Sequence, residues 1–74
     1  MMMKIKEIEQ QITENFKRFK GLYCKIDKRG GDVYSVSAYV YHCINVPKRL
    51  LENSDNYPLI AKDIESLVEE NKGE

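Results

Sequence analysis

The reactive chemistry open to this sequence starts with three side chains: Cys24, Cys43 and its only histidine, His42. A cysteine becomes a strong nucleophile when a neighbouring imidazole takes its proton. His42 and Cys43 are adjacent within a β-prone run, and successive strand residues point to opposite faces. They cannot hydrogen-bond side chain to side chain there, so no catalytic dyad is expected. One histidine and two widely separated cysteines match no zinc spacing. Gly30-Gly31 joins two expected strands and opens no helix, which excludes a phosphate loop. The reading is therefore of a protein that is not an enzyme and has no catalytic residue, cofactor or metal.

What remains is contact chemistry. Tyr23, Tyr39 and Tyr41 are expected on one face of the extended segments, with Lys25, Ser35, Ser37 and Cys43 beside them. Tyrosine combines large contact area with a polar tip and is favoured at protein interfaces. The same tyrosines could equally form a cross-strand ladder that steadies a hairpin. A second set, Lys17, Arg18, Lys20, Lys28 and Arg29, could make a positive rim near these rings, and aromatic rings stack on unpaired bases. The acidic Glu14, Asp27 and Asp32 interrupt that rim, and the pI of 6.6 is not that of a nucleic-acid-binding domain. Protein is the expected partner class, as a second copy or another chain. Nucleic acid is the alternative.

The elements that must position these groups are legible from periodicity. Ile5, Ile8, Ile12, Phe16 and Phe19 recur at helical spacing over residues 4 to 19, and Glu9 and Arg18 fall on the expected solvated face. Gly21 follows as a helix stop. Leu22, Cys24 and Ile26 alternate with polar residues as in a half-buried strand. Val33 to Ile44 is a second, longer run without Gly, Pro or formal charge. Its even positions, Tyr34, Val36, Ala38, Val40, His42 and Ile44, are the more apolar and should face the core. A Gly30-Gly31-Asp32 loop pairs Ile26 with Val36, Cys24 with Ala38, Leu22 with Val40, Lys25 with Ser37 and Tyr23 with Tyr39. That register keeps each face consistent, and a slip of one residue would invert it.

Asn45 and Pro47 are expected to start a short helical turn anchored by Leu50 and Leu51. Glu52 to Tyr57 reads as loop. Pro58 then opens a helix to about Asn71 whose buried stripe is Leu59, Ile60, Ile64, Leu67 and Val68, with Lys62, Asp63, Glu65, Glu69 and Glu70 outside. The expected architecture is α+β in two layers, α-β-β-α. A β-hairpin carries two amphipathic helices on one face, with a short extra helical turn after the second strand. The chain reads as one domain over residues 1–74, with disordered ends at 1–3 and 72–74.

In that arrangement strand 33–44 outruns its hairpin partner and keeps one edge open along its whole length. Edge strands normally carry charges, prolines or bulges that deter pairing, and this one has none before Pro47. Partner binding is therefore expected along 33–44, through Tyr23, Lys25, Tyr39, Tyr41 and Cys43. Twelve basic and twelve acidic residues cancel overall, but residues 1–32 carry a net +3 and residues 33–74 a net −3. No stretch approaches the roughly 20 apolar residues of a membrane span, and charges at Lys4, Lys6 and Glu7 interrupt any leader-like region. The expected compartment is the cytoplasm.

Overall fold

A computed structural model describes residues 4–19, 21–38 and 42–72. The isoleucines at 5, 8 and 12 form one stripe of helix α1 (Ile5–Thr13), with Ile8 and Ile12 buried. The helix ends well before Phe19, contrary to the periodicity. Side chains at its end bond back to carbonyls four residues earlier: Thr13 Oγ1 donates to Glu9 O at 2.7 Å and Asn15 Nδ2 to Gln11 O at 2.8 Å. Such local side-chain bonds compete with the helical ladder. The amides of Asn15 and Phe16 tighten onto the carbonyls of Ile12 and Thr13 three residues back, a 3-10 pattern that closes the helix. Gly21 adopts a positive φ of 89°, but in the connection to the sheet rather than at the helix end.

Strand β1 (Cys24–Gly30) pairs antiparallel with β2 (Val33–Ala38) in the expected register, Cys24 opposite Ala38, Lys25 opposite Ser37 and Ile26 opposite Val36. The means differ slightly from expectation. An irregularity between Lys28 and Gly30 absorbs one residue, so Gly30 pairs with Val33 and only Gly31 and Asp32 form the turn. Gly31 takes φ 57°, the left-handed region that glycine enters without steric cost. The further pairs expected at Val40 and Tyr39 lie outside the described residues.

Strand 33–44 is the main correction. The chain folds back between Ala38 and His42, and a third strand, β3 (His42–Pro47), pairs antiparallel with β2, Val36 opposite Ile44 and Ala38 opposite His42. The sheet order is β1-β2-β3, so β2 lies between two strands of its own chain and has no open edge. No Gly, Pro, Asn or Asp marks the reversal in the sequence, because residues 39–41 are Tyr-Val-Tyr, all strand formers. The face assignment survives the error. Even positions of β2 pair with even positions of β3, so Val36, Ala38 and Val46 are still buried together.

Helix α2 (Lys48–Leu51) follows directly, with Pro47 in the capping position and the Lys48 amide donating to Asp32 O at 2.7 Å. Asn45, expected as its cap, belongs to β3. A 3-10 turn (Ser54–Asn56), capped by the Asn53 side chain, leads into α3 (Tyr57–Lys72). Helix α3 runs through Lys72, while 1–3 and 73–74 lie outside the described residues. Leu59, expected in the core, is 63% exposed, whereas Tyr57, Ile60, Ala61 and Ile64 are buried. Tyr57 reaches the core because its hydroxyl has a buried acceptor, donating to Leu51 O at 2.5 Å. The two long helices cover one face of the sheet around a single apolar cluster that includes Ile12, Val36, Leu51 and Ile64.

Candidate protein-interaction edge

A three-stranded open sheet has two edges, and here they are finished differently. Along β1, helix α1 supplies side chains to the outward-pointing amides. Cys24 N–H donates to Thr13 Oγ1 at 2.8 Å, and Ile26 N–H donates to Glu9 Oε2 at 2.8 Å. The pairs run Thr13 with Cys24 and Glu9 with Ile26, so α1 runs antiparallel to β1 and closes its first half. Glu9 was expected on the solvated face, but its carboxylate completes the sheet edge. Tyr23, 53% exposed, donates its hydroxyl to Glu9 Oε1 at 3.3 Å. Desolvation against the helix, then the Glu9 carboxylate, keep that hydroxyl protonated above its ordinary range.

Those two bonds also define the ladder. Because Cys24 and Ile26 point away from β2, the antiparallel alternation turns Val36 and Ala38 toward β3. In β3, His42, Ile44 and Val46 then bond to β2, while Cys43 and Asn45 direct their N–H and C=O groups outward and Pro47 its C=O alone. Among the described residues no hydrogen bond covers this edge from another element. It carries no formal charge over His42–Pro47.

Beside that edge runs a groove of about 460 Å³, walled by β3, α2 and α3 and by no residue of β1 or β2. Ile44, Pro47, Leu50 and Leu67 make it apolar, and Asp63 and Glu70 stand on its α3 side. Of the two leucines expected to anchor the α2 turn, Leu50 is 38% exposed here, while Leu51 is fully buried.

The residues singled out from sequence scatter. Cys43 is exposed on the uncovered face of β3, in a row with Ser37 of β2 and the exposed Lys25 of β1. Tyr23 lies at the opposite edge with α1, away from β3. Tyr39 and Tyr41 lie outside the described residues, so the tyrosine face is represented by Tyr23 alone. Of the basic set, Lys17 and Arg18 follow α1, and Lys28 and Arg29 sit at the hairpin tip at the far end of β1. Lys25, also exposed, lies on β1 with Asp27 between it and Lys28. Arg18 is also ion-paired with Glu69, its guanidinium 5.9 Å from the Phe19 ring centre. Lys20 lies outside the described residues.

Cys24 is fully buried, and desolvation followed by the Glu9 carboxylate pushes its thiol up to about 12. Both cysteines are free. Among the described residues no cluster of His, Cys, Asp or Glu could hold a metal ion, and no buried side-chain nitrogen or oxygen lacks a partner.

Among the acidic positions, sequence reasoning missed Glu9 and Glu65, while Asp63 and Glu70 are exposed as expected. Glu65 was expected outside but is 3% exposed, with Oε2 accepting the amides of Arg18 at 2.7 Å and Phe19 at 3.1 Å. A signal was present: Glu65 lies four residues after Ala61 and three before Val68, inside the buried stripe of α3. Asp63 and Glu70, spaced by seven, share one side of the same helix. No protein-family model, curated protein or solved structure matches the chain. No helix among the described residues is long and apolar enough to cross a membrane.

Proposed function

We propose that this protein is a non-enzymatic binding module that takes an extended segment of a partner protein along the outer edge of β3. One observation carries the reading: the two edges of the sheet are unlike. Side chains of Glu9 and Thr13 occupy the β1 edge, whereas the β3 edge presents outward backbone groups beside an apolar groove. An added strand gains main-chain hydrogen bonds from such an edge and selectivity from a pocket that receives alternate side chains. The docking strand is thus His42–Pro47 and not the 33–44 segment as a whole. Of the residues expected to bind, Cys43 lies on it.

A partner chain is favoured over a second copy by charge. Antiparallel self-pairing of β3 would merge two grooves and set Asp63 and Glu70 of each copy along a common trough, and like charges there oppose association. The nucleic-acid alternative has less support, because Arg18 is ion-paired with Glu69 and Asp27 interrupts the basic residues of β1. Two free thiols suit a reducing compartment such as the cytoplasm.

The test is Asn45→Pro. Proline removes the outward N–H and leaves the β2–β3 ladder intact, since Asn45 does not donate to β2. Displayed random peptides selected on the wild-type protein should lose binding to the variant while it keeps the wild-type circular dichroism. Peptides that bind both proteins equally would refute the docking edge. A concentration-dependent dimer in light scattering, abolished by the same change, would replace the partner with a second copy.

A further inference from the structure

Resting on the β3 edge as the docking strand, we infer that the bound segment has the form basic–x–apolar–x–basic, its two cationic side chains meeting Asp63 and Glu70. The argument begins with direction. A strand laid antiparallel against β3 exchanges hydrogen bonds with Cys43 and Asn45, which puts the residue opposite Ile44 in a non-bonded pair. That residue shares a face with Ile44, and the face is the one the groove lines. Its side chain enters between Ile44, Leu50 and Leu67 and is therefore apolar. The neighbours two residues before and two after it project to the same face, about 13 Å apart at strand rise.

On the opposite wall, Asp63 and Glu70 are separated by two helical turns, roughly 10 Å along α3. Among the described residues neither carboxylate has an ion-pair partner, and no Lys or Arg lines the groove. Flexible lysine stems take up the difference of about 3 Å between the two spacings. The groove thus offers an apolar lining with two carboxylates two helical turns apart on its α3 side. An acidic or uncharged strand could make the same backbone bonds but would leave those charges unmet or opposed.

The chain does not satisfy this pattern itself. None of its basic residues is followed by an apolar residue two positions on and a second basic residue four positions on. The pattern therefore selects a different protein over a second copy.

The experiment uses two capped peptides that differ only in charge, Thr-Thr-Lys-Thr-Ile-Thr-Lys-Thr-Thr and its counterpart with both Lys replaced by Glu. Each is titrated into the full ¹⁵N-labelled protein at low salt. The Lys peptide should shift the amides of Cys43 and Asn45 and bind about tenfold more tightly than the Glu peptide, a gap that narrows as salt is added. Asp63→Lys/Glu70→Lys, two exposed positions, should reverse the preference. Equal binding of both peptides, with Cys43 and Asn45 still shifting, would overturn the charge inference and leave the edge in place. A preference unchanged in the double variant would overturn it as well. If neither peptide moves those two amides, the edge reading itself falls.

Discussion

Glu65 is the most consequential single side chain outside the apolar core. Its carboxylate is buried, and one oxygen accepts two backbone N–H groups from the segment that follows α1. Glu65→Ala would leave both amides without an acceptor in a partly buried site. Hydrogen bonds to a charged group contribute about 1.5–3 kcal/mol each, and two donors sharing one oxygen belong at the lower end, so the loss is about 3 kcal/mol. A chain of this length has a total stability of roughly 4–11 kcal/mol, and small domains sit low in that range. The variant should therefore lose a large share of its stability, melting roughly 12–24 °C lower. Glu65→Gln retains an acceptor oxygen without the charge and should lose about half as much, because neutral hydrogen bonds are about half as strong.

Glu69 provides the control. It pairs with Arg18, but both side chains are about half exposed, and exposed pairs contribute roughly 0–1 kcal/mol. The assay is urea denaturation followed by circular dichroism for the wild type, Glu65→Ala, Glu65→Gln and Glu69→Ala. Glu65→Ala unfolding at the same midpoint as Glu69→Ala would refute the reasoning. It would mean that the amides of Arg18 and Phe19 find water at no cost.

Further outcomes concern the two cysteines and the β1–β2 turn. Ellman's reagent at pH 8 should titrate Cys43 promptly and Cys24 only after unfolding, because Cys24 is buried and its thiol is held protonated up to about 12. The folded chain keeps that proton to higher pH than the unfolded chain, whose thiol titrates near 9.0; the associated stability is complete below pH 9 and declines as pH rises toward 12. Cys24→Ser should blunt that alkaline decline in a pH series of melting temperatures, and an unchanged decline would assign it elsewhere. Gly31→Ala should cost about 1–2 kcal/mol, since a Cβ there meets no atom within 4 Å and the penalty comes only from φ 57°. Gly30→Ala, with equal space and no positive φ, should melt within a few degrees of the wild type.

Sequence alone determined much of what depends on local period, though not where α1 ends or that Leu59 is exposed. Ile8 and Ile12 mark α1, Cys24 and Ile26 mark β1, and the β1–β2 register follows from keeping apolar side chains on one face, since an error of one residue would expose them all. The buried Cys24 and the exposed Cys43 were legible for the same reason. Tertiary structure decided where the chain turns and which polar groups are enclosed. Tyr39, Val40 and Tyr41 favour extended backbone whether the strand runs on or reverses, so only packing against the helices selects β3 and places β2 at the centre. Glu9 looks like a solvated helix residue in the sequence, and the spacing that puts Glu65 in the buried stripe does not say what it bonds, because a carboxylate is buried only when another segment brings it unpaired amides. The β3 edge and its groove were equally out of reach, for an edge is defined by which strands are absent beside it, and no residue pattern within one strand records that.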